Sequence, residues 1–276
     1  MRTAKTQRSS ITEAVFSFLV AIPIALLGGL IGLGGAEFRL PVLVGFLKRS
    51  ASRSVTINLA VSLVTLIVSL MTRLRVAASA FPLADFAVIL PAMTGGAILA
   101  AYGMAGRLAR ISERQLEFWM RNLLVGIGVL LIVEGFVTIG SLELRHSPLL
   151  LQAVVGAGFG ALIGLVSSLL GVAGGELIIP TLVFIFGIGI KLAGTASLMI
   201  SMPTVCAGLI RYARSGVLFD RSDLTGIVTP MGFGSIIGSI LGGLLFGIVS
   251  PNLLKILLGV VLIYSALRIF LRQRHE

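Results

Sequence analysis

GLGGAEFRLP, Gly32 to Pro41, sets a glutamate and an arginine two residues apart behind a glycine cluster, with almost wholly apolar sequence on both sides. A second stretch, GVAGGELIIP from Gly171 to Pro180, repeats the glycines, the acid and the closing proline in the other half of the chain. The surroundings explain why such a pattern matters. Hydrophobic residues make up 57% of the 276 residues and charged residues only 12%, against about 45–50% and about 25% in ordinary soluble domains. Several uncharged runs reach about 20 residues, enough to cross a hydrocarbon layer about 30 Å thick. The chain therefore reads as an all-α, polytopic membrane protein. Its N-terminal MRTAKTQRSS, followed by an apolar run, is expected to be an uncleaved first membrane helix rather than a secretory leader.

Shifting the sequence by 139 residues aligns the halves without a gap: Gly32 falls on Gly171, Gly35 on Gly174, Glu37 on Glu176, Pro41 on Pro180, Thr56 on Thr195, Ser62 on Ser201 and Thr65 on Thr204. Pro91 meets Pro230, Gly95 meets Gly234 and Gly103 meets Gly242. Matched acids, prolines and hydroxyls are rare in so apolar a chain, so the pattern reads as a tandem duplication. Residues 1–140 form the first repeat and 141–276 the second, within one membrane domain, with the seam near SLELRHSP.

Each half offers five apolar segments: 14–33, 36–47, 54–72, 83–105 and 118–140 in the first, then 149–171, 176–189, 192–210, 224–247 and 253–271. The segment after each glycine cluster is too short for an upright span, and is expected to be half of a broken helix or one arm of a re-entrant hairpin. If it returns the chain to the side it came from, sixteen of the 22 basic residues, from Arg2 and Lys48 to Arg211 and Arg274, collect on one side. The other side then holds Arg73, Arg75, Arg145, Lys191 and Lys255, with Arg39 left in the membrane. The positive-inside rule makes the first side cytoplasmic, with both termini there. An odd number of passes per half predicts two inverted repeats, an architecture common among secondary transporters. The net charge of +11 is then largely topogenic and implies no nucleic-acid partner.

Within this frame Gly34 and Gly35, and Gly174 and Gly175, are the candidate helix breaks, because glycine reaches backbone angles that other residues avoid. A helix that starts inside the bilayer presents free amides and a positive partial charge, which suits a small anion. Glu37 and Glu176 are candidates for proton coupling or for capping those starts, since an ionisable group at depth is expensive unless it has a task. Arg39 has no cationic counterpart; Ile178 stands in its place. Its expected partner is the substrate or an acid elsewhere, Glu176 or Glu134. Asn58, Ser62, Thr65 and Ser69 form one helical stripe, matched by Ser197, Ser201, Thr204 and Gly208, and are candidates to line a path, although small hydroxyls also serve helix packing. Cys206, the single cysteine, excludes an intrachain disulfide and reads as a small buried residue. No phosphate loop, HExxH or GxSxG motif is present, so no enzyme activity, cofactor or metal is expected.

In these residues the sequence resembles the sulfite exporter TauE/SafE family, also called the toluene-sulfonate uptake permease family, over nearly the whole chain. The resemblance implies a secondary transporter of small sulfur-containing anions such as sulfite, thiosulfate or organosulfonates. The chain departs from the usual apolar continuation of the motif at Glu37, Arg39 and Glu176, and carries Ala36 where a glycine is common. The expected protein is a permease of the cell inner membrane, working by alternating access with proton coupling as an option. Its partners are a small anion and the lipid bilayer, with a homo-oligomer admitted. An uncoupled anion channel and a non-transporting accessory or sensor protein are the alternatives.

Overall fold

The computed structural model describes residues 2–76, 81–103, 113–137, 140–170, 174–214 and 220–273, and among them it is helical with no strand. Gly171, Arg107, Arg110 and Arg274 lie outside the described residues. The helices are α1 (Arg2–Ile31), α2 (Ala36–Pro41), α3 (Ala51–Val76), α4 (Ile89–Gly103), α5 (Glu113–Phe136), α6 (Leu149–Leu170), α7 (Gly175–Pro180), α8 (Ile190–Arg214), α9 (Arg221–Asp223), α10 (Thr229–Ile248) and α11 (Pro251–Gln273). Among the described residues five stretches are long and apolar enough to cross a membrane: Thr12–Ile31, Arg53–Val76, Leu83–Ala101, Ile190–Arg214 and Arg221–Ile248. Large apolar side chains such as Leu19, Leu99, Phe136, Leu150 and Ile248 face outward. An apolar surface of that extent belongs against lipid. The chain is a polytopic helical membrane protein.

The glycine motifs do break helices. Gly35 and Gly174 precede α2 and α7 in the left-handed region, at φ 70° and 77°. Pro41 and Pro180 end the regular turns, since a proline has no N–H for the ladder and its ring crowds the carbonyl four residues back. The helix widens into five π-helical residues at each, Val42–Phe46 and Thr181–Ile185. Both runs close alike: Leu47 N–H donates to Val42 O and Arg49 N–H to Leu43 O, as Phe186 donates to Thr181 and Ile188 to Leu182. Lys48 and Gly187, the matched residues between, both have positive φ. The 139-residue offset is thus repeated hydrogen bond by hydrogen bond.

Packing between the halves follows the same offset. α1 lies along α10 in parallel: a Cβ on Gly234, Gly238 or Gly242 would stand 2.2–2.3 Å from the carbonyls of Phe18, Ile22 and Leu26 in turn. α6 lies along α4 in the same way, with Gly160 on Met93 and Gly164 on Ala97. α1 matches α6 and α10 matches α4, so one interface occurs twice. The self-matched pairs run the other way. Gly128 of α5 meets Gly259 of α11 while Gly135 meets Ile256, and Gly208 of α8 meets Leu59 of α3 while Gly194 meets Arg73. Matched helices are therefore antiparallel across the interface between the halves.

One end of the bundle is ionic. Arg49 reaches Glu13 at 2.7 Å and Asp223 at 3.2 Å, and Arg53 reaches Asp220 at 2.7 Å and Asp223 at 3.6 Å. These pairs tie α1, the turn after α2, the start of α3 and α9 together. The residues matched to these, Gln152, Ile188 and Leu192 in the second half and Phe81 and Ala84 in the first, carry no charge.

Candidate functional site

Depth comes first. Gly35 packs against Ile24 and Gly174 against Ile163, the matched residue of α6. Ile24 stands eleven residues along α1 from Glu13 at the ionic end, about 16 Å at helical rise. Each break therefore sits near the middle of its bundle. α1 itself runs on to Ile31 before the chain turns back, and the turn crosses to the other repeat. A Cβ on Gly32 would collide with the Gly194 backbone, and one on Gly175 would lie 3.0 Å from Leu33 Cδ2 and 3.1 Å from Ser197 Oγ. At Gly32 the backbone contact and the φ of 104° admit glycine alone, whereas a side chain at Gly175 would have to push Leu33 and Ser197 aside.

Arg39 projects from α2 and is fully buried. One terminal nitrogen donates to Asn58 Oδ1 at 3.3 Å and Ser62 Oγ at 2.9 Å, and the other to Thr65 Oγ1 at 3.2 Å. Asn58, Ser62 and Thr65 recur at helical spacing, so one face of α3 serves the whole guanidinium. Asn58 Nδ2 donates in turn to the Ala36 carbonyl at the start of α2. The stripe expected to line a path thus holds an arginine in the first copy. Neither acid proposed as its partner is there: Glu134 pairs with Lys255 at 2.9 Å between α5 and α11, and Glu176 accepts from Ser265 Oγ at 3.0 Å. Glu37, buried beside it, is its electrostatic neighbour.

The second copy is built differently. Ile178 replaces the arginine, and the hydroxyls of Ser197 and Ser201, 0% and 1% exposed, have no hydrogen-bond partner among the described residues. Thr204 donates to its own helix at the Ile200 carbonyl. Unsatisfied buried hydroxyls cost about 1–3 kcal/mol each and mark places where a ligand or water is wanted. The two motifs are held from one side by α11, where Tyr264 stacks on Phe38 with ring centroids 5.9 Å apart and the next residue, Ser265, holds Glu176.

Arg73, counted from the sequence among the few cations of the side opposite the cytoplasm, is 1% exposed. Its guanidinium donates to the Gly29 and Leu30 carbonyls, each at 2.9 Å, and to Thr195 Oγ1 at 3.3 Å, and lies 4.0 Å from the Phe246 ring centroid. The last carbonyls of α1 have no partner inside the helix, and a cation there also meets the negative end of the dipole. Sequence reasoning missed this because an arginine near the end of an apolar run reads equally as a loop residue; the matched Tyr212, which cannot make such a cap, was the available hint.

The fold and its centre define the class: a helical membrane protein with paired, glycine-broken helices around a buried polar core. Residues 156–276, just under half of the chain and including the second motif, match the family model described as TauE: Sulfite exporter TauE/SafE. The match covers most of the second repeat and bears out the resemblance there. No curated protein and no solved structure matches the chain.

Proposed function

We propose that the protein is a secondary transporter that moves a small anion, of the sulfite, thiosulfate or organosulfonate class, across the inner membrane by alternating access between two inverted repeats. The observation that carries this is Arg39: a fully buried guanidinium, beside the helix break at Gly35, that donates to three neutral oxygens. Those oxygens orient the cation beside the Glu37 carboxyl, and a desolvated cation attracts an anion more strongly than one in water. The anion lies between Arg39 with the amides at Gly34 and Gly35 on one side, and Gly174, Gly175, Ser197 and Ser201 on the other. Glu37 and Glu176 carry or relay a proton with it. The antiparallel pairing of matched helices supports the inverted arrangement, because a two-fold axis lying across the helices reverses each copy. The ionic end is cytoplasmic on the positive-inside rule.

Proteoliposomes loaded with sulfite or thiosulfate test this reading. The wild-type chain exchanges the labelled anion, and Arg39→Gln lowers the initial rate by about tenfold or more, the loss equivalent to about 1.4 kcal/mol. Undiminished exchange in Arg39→Gln would remove the arginine from the site, and no exchange of either anion by the wild type would remove the substrate class.

A further inference from the structure

We infer that the second copy's hydroxyl stripe ends in an anion vestibule at the ionic end of the protein, in which Arg211, together with Ser167, Thr204 and Tyr212, receives the small anion on its way to or from the centre. The inference deepens the transporter reading and rests on it. α3, α4, α6 and α8 enclose a cavity of about 30 Å³ there, lined by these four residues and by apolar ones including Leu59 and Ala101. That is room for one or two waters, as a closed vestibule would keep. None of the lining residues is acidic. Arg211 is anchored by donation to the Ala101 carbonyl at 2.9 Å and lies over the Tyr212 ring at 5.3 Å.

The route to it is continuous along one face of α8. Ser197, Ser201, Thr204, Gly208 and Arg211 step by four, three, four and three residues, which keeps them on a single stripe. Ser197 opens the stripe against Gly175 at the centre, and Thr204 and Gly208 close it in the cavity. At Gly208 a Cβ would meet only Leu59, at an ordinary 3.5 Å. The hydroxyls of Ser197 and Ser201 are buried without partners among the described residues, as is that of Ser69 at the far end of the first copy's stripe. The first copy cannot offer the same route. Its stripe is occupied by Arg39, and Thr72 stands where the second copy has Arg211. The two copies have diverged into one face that fixes a charge and one that leaves hydroxyls open toward a cation.

The test separates the vestibule from the flux it serves. In the Cys206→Ser background, Thr204→Cys is exposed in inside-out vesicles to an anionic sulfonatoethyl and a cationic trimethylammonioethyl methanethiosulfonate. The anionic reagent reacts about tenfold faster with Arg211 present than in Arg211→Gln, the cationic one does not, and Arg211→Lys keeps the preference. Should Arg211→Gln fail to fold, salt gives the same information in the Thr204→Cys protein: screening slows the anionic reagent and speeds the cationic one. An anionic-to-cationic rate ratio unchanged in Arg211→Gln, a salt-independent ratio, or no labelling from that side would overturn the vestibule. Sulfite exchange measured in vesicles of the wild-type chain reports separately on the transporter reading, since the labelling preference needs no substrate.

Discussion

Arg39 concentrates the chemistry of the centre in one side chain. Its three acceptors span seven residues of α3, about 10 Å of helix, and only a forked guanidinium reaches both ends of that row. Arg39→Lys should therefore keep the charge but lose the geometry, with transport reduced several-fold and the thermal midpoint lowered, as measured by exchange and by thermal unfolding in detergent. Glu176→Gln is a gentler change, because an amide oxygen still accepts from Ser265. The expected result is a folded protein whose exchange no longer varies with pH between the acid and neutral range; an unchanged pH profile would exclude Glu176 from proton coupling. Both residues were visible in the sequence as charges in an apolar run. Their partners were not: Asn58, Ser62 and Thr65 were legible as a stripe, but a stripe of hydroxyls has no preferred occupant until another helix is laid against it.

Helix ends and helix contacts obey simpler rules. Gly95 and Gly96 are neighbours on α4, yet a Cβ on Gly96 would lie 2.2 Å from the Ala157 carbonyl oxygen while nothing stands within 4 Å of one on Gly95. Gly96→Ala should cost about 1–3 kcal/mol through overpacking, and Gly95→Ala should be neutral or slightly stabilising, read as thermal midpoints in one detergent. The duplication had pointed to Gly95 through its match with Gly234, which packs against the Phe18 carbonyl. A matched glycine therefore does not guarantee a matched contact. The breaks themselves were legible, since glycine followed by a proline six residues on marks a short helix. The π-helical continuation was not, because it depends on where the freed carbonyls find donors.

At the scale of the molecule the two copies share a backbone plan and differ in charge. The opposite end, where the matched residues lie, has no counterpart of the pairs that Arg49 and Arg53 make with Glu13, Asp220 and Asp223. In the proposed alternating cycle, such a network at that end biases which end opens. Arg49→Gln should favour the state open at the ionic end, seen as faster labelling of Thr204→Cys from that side. The inverted arrangement has its own test in the Cys206→Ser background. Cysteine at Lys48 should react with an impermeant reagent from the cytoplasm alone, and cysteine at Lys191 from outside alone; labelling of both from one face would refute it.

Composition and periodicity by themselves determined that the chain is helical and lives in a membrane, because so much apolar surface has no other solvent. The 139-residue offset determined which residues of the two halves correspond and where each half breaks its helix. Tertiary structure alone decided which polar groups meet: Arg39 on a row of hydroxyls rather than on Glu134 or Glu176, Arg73 on the end of α1 rather than in a loop, Ser197 and Ser201 left without partners among the described residues. The physical reason is range. Burial and helix breaks follow from neighbours along the chain, while the partner of a buried charge is set by which helix the packing brings alongside it.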